Sequence, residues 1–105
     1  MNTRFYNWNV AYAKYCDGAS FSGNRSEPVL AGGKQLYFRG ARIFHAIVES
    51  LKIDKGMANA SEGLLSGCSA GGLATYLHCD AWAELIAPIK AKCAADAGYF
   101  ANIPS

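Results

Sequence analysis

Glu62-Gly63-Leu64-Leu65-Ser66-Gly67-Cys68-Ser69-Ala70-Gly71-Gly72-Leu73-Ala74-Thr75-Tyr76-Leu77-His78-Cys79 decides how this chain is read. At its centre stands Gly67-Cys68-Ser69-Ala70-Gly71, a G-x-S-x-G pentapeptide. Before it, Leu64 to Gly67 reads as a short buried strand. After it, Ala70 to about Glu84 is free of Pro and reads as a helix, with Pro88 beyond its end. Strand, tight turn and helix are the arrangement of a nucleophile elbow. The turn holds its central residue in a strained conformation, and the flanking glycines let neighbouring backbone come close. The Ser69 oxygen is then lifted above the strand ends, and the Ala70 N–H points into the same space from a helix N-terminus. The competing reading is a Gly-Ser-rich turn that merely caps a helix.

Outward from the elbow, Ile89 to Ala95 reads as a further strand ending at Asp96-Ala97-Gly98, although its alanines also fit a helix. Upstream, Leu36 to Lys52 reads as the clearest helix. Leu36, Ile43, Ile47 and Leu51 form one stripe, widened by Phe44 and Val48, while Arg39, Arg42, His45, Glu49 and Lys52 take the solvated face. Gly40 weakens this helix by about 1 kcal/mol relative to Ala and marks a place of close packing. Asn9 to Cys16 reads as a first strand, and Asp17 to Gln35, rich in Gly, Ser, Asn and Pro, as a long loop. The order β-α-β-α-β implies an α/β fold with a parallel sheet. In such sheets chemistry collects at the carboxyl ends of the strands, where Cys16-Asp17, Ser69 and Asp96 fall.

The bulk numbers agree with one folded domain. The chain has 105 residues, 51% of them hydrophobic and 17% charged, with a net charge of +2. The ten Lys and Arg are scattered along the sequence with no basic run, which argues against nucleic acid. No apolar run approaches the roughly 20 residues of a membrane span. The first ten residues include Asn2, Arg4, Asn7 and Asn9 and no apolar h-region. Cys16, Cys68, Cys79 and Cys93 match no zinc-binding spacing. They allow three disulfide pairings or buried free thiols, and the sequence does not choose among them.

Several blocks together carry a resemblance. They are Asn7-Trp8-Asn9, Tyr15-Cys16-Asp17-Gly18-Ala19-Ser20-Phe21-Ser22-Gly23, Tyr37-Phe38-Arg39-Gly40, Gly56-Met57-Ala58-Asn59-Ala60, Leu64 to Gly72, His78-Cys79-Asp80 and Asp96 to Phe100. They resemble the plant pectin acetylesterases, which belong with the Notum-type carboxylesterases, from about Asn7 to Phe100. The resemblance implies a partial α/β-hydrolase-like fold, residues 1–105 being a single partial domain from the centre of a larger catalytic one. It implies a secreted, cell-wall serine esterase that removes acetyl groups from pectin (homogalacturonan) and requires no metal or organic cofactor. Ser69 matches the family nucleophile and Ala70 the residue whose N–H contributes to the oxyanion hole. The family's Gly-rich block ending in Trp, its catalytic Asp and its catalytic His have no match here. The isolated chain is therefore expected to be inactive. The partner is acetylated pectin, with neither nucleic acid nor membrane.

No local residue replaces the missing base. His78 lies nine positions past Ser69, about 13 Å along a helix and on its other side. His45 belongs to a solvated helix face. Asp96 either orients groups near Ser69 or makes structural hydrogen bonds. Asp17 either lines the cleft or caps a turn. Cys68 points away from the Ser69 oxygen into the packing below and has no environment that would activate a thiol. The alternative function is a non-catalytic pseudoenzyme that still binds polysaccharide through cleft residues such as Trp8, Tyr15 and Phe21.

Overall fold

The computed structural model describes residues 3–101. Two hydrogen-bonded strand pairs and two helices make up its regular structure. Strands β1 (Val29–Ala31) and β2 (Lys34–Leu36) form an antiparallel hairpin. Helix α1 (Gly40–Ile53) follows, then a single 3-10 turn (Met57–Asn59). Strand β3 (Glu62–Cys68), helix α2 (Ala70–Ile86) and strand β4 (Lys90–Asp96) complete a βαβ unit whose strands pair in parallel, Glu62 opposite Lys90 and Cys68 opposite Asp96. The molecule is α/β, as the alternation of strand and helix patterns predicts.

The βαβ unit is built on a two-residue period. Gly63, Leu65 and Gly67 of β3 and Ala91, Cys93 and Ala95 of β4 are the more buried positions, and Leu65, Ala91 and Cys93 pack on the core. That core is Phe44 and Val48 from α1, Trp82 and Ile86 from α2, and Ile89 just before β4. Trp82 donates its indole N–H to the Gly63 carbonyl, 3.4 Å away. Lys52 of α1 donates its ammonium to the Leu85 carbonyl at 2.6 Å, a cation at the C-terminal end of α2 where the helix dipole favours it. A disulfide joins Cys79 of α2 to Cys93 of β4, resolving the pairing that the spacings leave open. Cys16 and Cys68 are exposed free thiols. On the other face of the sheet Leu64, Ser66 and Cys68 stand beside Lys92, Ala94 and Asp96, with neither α1 nor α2 over them among the described residues. Cys68 thus lies at the surface, and the expectation that it points into packing is corrected.

Elsewhere the sequence reading is revised. Asn9 to Cys16 forms no strand: Val10 and Tyr12 are each 88% exposed, and the segment pairs with no other strand. Its β-forming composition counts only where a neighbouring strand offers a surface to pack on. The loop expected over residues 17–35 contains most of the hairpin. Gly32 and Gly33 both take positive φ, 56° and 73°, as a two-residue turn of the I′ kind requires. Leu36 belongs to β2, and α1 starts at Gly40. Its buried row is Gly40, Phe44 and Val48, whereas Ile43 faces solvent. Gly40 does mark close packing, but at the helix start: a Cβ there would overlap the Asp17 carboxylate and the Phe21 backbone. Among the described residues the order is therefore β-β-α-β-α-β, and the parallel sheet has two strands rather than three.

Candidate active site

Ser69 sits between the last residue of β3 and the first of α2, with φ 57° and ψ −116°. For a residue with a side chain this is a strained conformation, held only where the surroundings over-determine it. Those surroundings are visible. The Ser69 N–H donates to the Asp96 carbonyl at 3.1 Å, tying the turn to the end of β4, and the Ser69 carbonyl accepts from Leu73 N–H at 3.0 Å to begin the helix. A Cβ on Gly67 would overlap the Gly71 carbonyl. A Cβ on Gly72 would lie 2.8 Å from the Asp96 carbonyl oxygen and 3.1 Å from the Gly98 Cα. The glycines let three backbone segments meet beneath the serine.

The result is an exposed Ser69 at the start of a 17-residue helix. Ala70 is the first helical residue, so its N–H has no acceptor one turn earlier within α2. A hydroxyl and a backbone donor at the positive end of a helix dipole form a place where an oxygen can attack and negative charge can be held. Ala97, directly after β4, also takes a positive φ of 46°. Distortion thus falls at the carboxyl ends of both parallel strands.

One helical turn from Ser69 lies a depression of about 380 Å³ lined by Leu73, Tyr76, Gly98, Tyr99 and Phe100. The chemistry of these residues did not mark them in the sequence. The available signal was position, since Tyr99-Phe100 follows the end of β4.

The histidines lie apart from this chemistry. His78 is buried, its Nε2 2.8 Å from the Phe21 carbonyl and its ring stacked on Phe44 with centroids 4.5 Å apart. His45 is exposed on α1, beside Arg42 and Glu49. Asp96 contributes its main-chain carbonyl to the elbow. Asp17 has both carboxylate oxygens buried without a hydrogen-bond partner, packed against Gly40 at the N-terminus of α1. That end of a helix favours an anion. Of the three aromatic residues considered for polysaccharide binding, Tyr15 and Phe21 come together, their ring centroids 5.5 Å apart, and the Tyr15 hydroxyl accepts from Ser20 N–H at 2.9 Å. Trp8 packs edge-on against Phe5.

The pattern that describes pectinacetylesterases matches residues 1–105. This chain belongs to the pectinacetylesterase family. Among its relatives, pectin acetylesterase 7 of Arabidopsis thaliana is 51% identical over 100 residues, covering 94% of this chain and 25% of the relative. Pectin acetylesterase 5 of the same plant is 47% identical over 105 residues, covering 99% of this chain and 24% of the relative. The mouse palmitoleoyl-protein carboxylesterase NOTUM is 31% identical over 104 residues, covering 94% of this chain and 20% of that protein. The chain thus spans about a quarter of the length of its plant relatives. No solved structure matches it.

Proposed function

We propose that residues 1–105 are the nucleophile-bearing part of a secreted serine esterase that removes acetyl groups from pectin in the cell wall. The observation that carries this reading is the strained, exposed Ser69 between β3 and α2 in a chain of the pectinacetylesterase family. Ser69 is the nucleophile and Ala70 N–H one of the oxyanion donors. A histidine from outside these residues takes the Ser69 proton as the oxygen attacks the acetyl carbonyl. The tetrahedral oxyanion is held by Ala70 N–H and further donors. It collapses to an acetyl-serine as the sugar hydroxyl leaves with that proton, and water then releases acetate and restores the serine.

The Cys79–Cys93 disulfide supports a secreted location, since such bridges persist in oxidising compartments. The names of the plant relatives support the substrate class. The test is acetate release from acetylated homogalacturonan by a longer protein that contains these residues. Release that continues after an active-serine phosphonate has labelled Ser69 would refute the reading.

A further inference from the structure

Arg39 and Arg42, three residues apart in sequence, both rest their guanidinium groups against segment 24–26. Segment 23–26 runs beside residues 38–42: Arg25 N–H donates to the Phe38 carbonyl at 2.9 Å, and Ala41 N–H to the Gly23 carbonyl at 2.8 Å. This brings the backbone of Arg25 beside the segment that carries Arg39 and Arg42. Two of the guanidinium groups are pre-positioned. Arg39 Nη2 donates to the Ser26 carbonyl at 2.6 Å and the group lies over the Tyr37 ring, 4.8 Å from its centroid. Arg42 Nε donates to Asn24 Oδ1 at 2.9 Å, leaving its two terminal nitrogens available.

Among the described residues Glu62 pairs with Lys90 and Lys92, and no carboxylate pairs with Arg25, Arg39 or Arg42. Arg42 and His45 help to line an open depression of about 410 Å³, together with Asn24, Ala41, Ala46 and Glu49. That volume falls within the roughly 300–1,000 Å³ usual for small-ligand sites. None of the elbow residues lines it.

We propose that this surface binds the carboxylates of the pectin backbone, as a subsite for unesterified galacturonate separate from the esterase centre. The inference rests on the reading of the substrate given above. A guanidinium held at Nε presents a fixed pair of donors that matches a planar carboxylate. The depression that Arg42 and His45 line is large enough for a sugar ring. Glu49 sets the limit of the cationic area and can accept from sugar hydroxyls. The esterase would thereby favour stretches of chain that already carry free acid groups.

The experiment is retention of the 105-residue chain on immobilised polygalacturonate and on its fully methyl-esterified form, eluted with a salt gradient. Neither polymer carries acetyl groups, so binding is read independently of hydrolysis. The acid form is expected to retain the protein at higher salt. The double variant Arg39→Gln/Arg42→Gln should lose affinity by about five-fold. The charge-matched variant Lys14→Gln/Lys55→Gln, altered at exposed lysines elsewhere, should behave as the parent does. Equal retention on both polymers, or equal losses in the two double variants, would overturn the subsite. Protection of Arg42 from phenylglyoxal by trigalacturonate, read by mass spectrometry, tests it without any substitution, and unchanged modification would also overturn it. If binding holds while acetate release from pectin fails, the catalytic reading alone falls. If acetate release holds while binding fails, the subsite alone falls.

Discussion

The backbone N–H of Ser69 donates to the carbonyl of Asp96 across 3.1 Å. The elbow is therefore fastened to the end of the neighbouring strand, and the conformation of Ser69 depends on how closely α2 can approach β4. The approach is made at Gly72, whose Cα faces that same Asp96 carbonyl and Gly98.

Gly72→Ala is thus expected to destabilise the protein by about 1–3 kcal/mol, the usual range for overpacking a close contact. Gly71→Ala is the control, because a Cβ there meets nothing within 4 Å and the position is helical. It should be neutral or stabilising by up to about 1 kcal/mol. Urea denaturation midpoints check both, and equal effects at the two positions would contradict the packing described.

The Cys79–Cys93 bridge closes a short loop with a sequence separation of 14. Chain-entropy arguments assign such a cross-link about 3 kcal/mol. The Cys79→Ser/Cys93→Ser variant should unfold at correspondingly lower denaturant. Thiol titration of the native parent should find Cys16 and Cys68 reactive, since both are exposed.

His78 fills a structural place: its Nε2 meets the Phe21 carbonyl and its ring stacks on Phe44. His78→Ala removes both contacts and leaves a half-buried carbonyl unpaired, with an expected cost of about 2–4 kcal/mol. In a longer, active protein containing these residues, the pH dependence of kcat should keep its shape in this variant. A lost base limb would make His78 part of the chemistry.

Glu62 titrates below its ordinary value of 4.5, held there chiefly by hydrogen bonding to and the charge of Lys92, with Lys90 adding to the effect. A depressed carboxylate stabilises the fold above the unfolded-state pKa and loses that contribution as pH falls through the folded-state value. The stabilisation is therefore present at neutral pH and fades as the solution is acidified below about pH 4.5. Glu62→Gln should lower Tm slightly at neutral pH and flatten its decline in that acidic range, so that parent and variant converge as the pH falls.

The βαβ unit around Ser69 was legible because its signals are local. A buried strand, a Gly-flanked turn and a Pro after the helix lie within thirty residues, and the stretch after Pro88, whose alanines also fit a helix, is the strand β4. Residues 9–16 read as a strand and are not one, because a β-forming composition describes a segment that can pair and cannot supply the neighbour. Gly32-Gly33 was a hairpin signal concealed within a stretch rich in turn residues. The register of α1 was misplaced by Leu36: the helix turns Phe44 and Val48 inward because Gly40 must pass beside Asp17 and Phe21, a contact between distant segments that periodicity cannot reveal. The tie between Ser69 and Asp96 was equally hidden. The acidic side chain invited a role, while the main-chain carbonyl is what holds the turn.

The central claim, that Ser69 is the nucleophile, is tested most directly by the rate of acetate release from an aryl acetate by a longer protein containing these residues, with Ser69→Ala beside the parent. The account predicts a fall of about three orders of magnitude or more, as loss of the attacking oxygen removes the covalent route. Retention of more than about a tenth of the parent rate, far above what oxyanion donors and binding supply without a nucleophile, would contradict it and place the attacking group elsewhere.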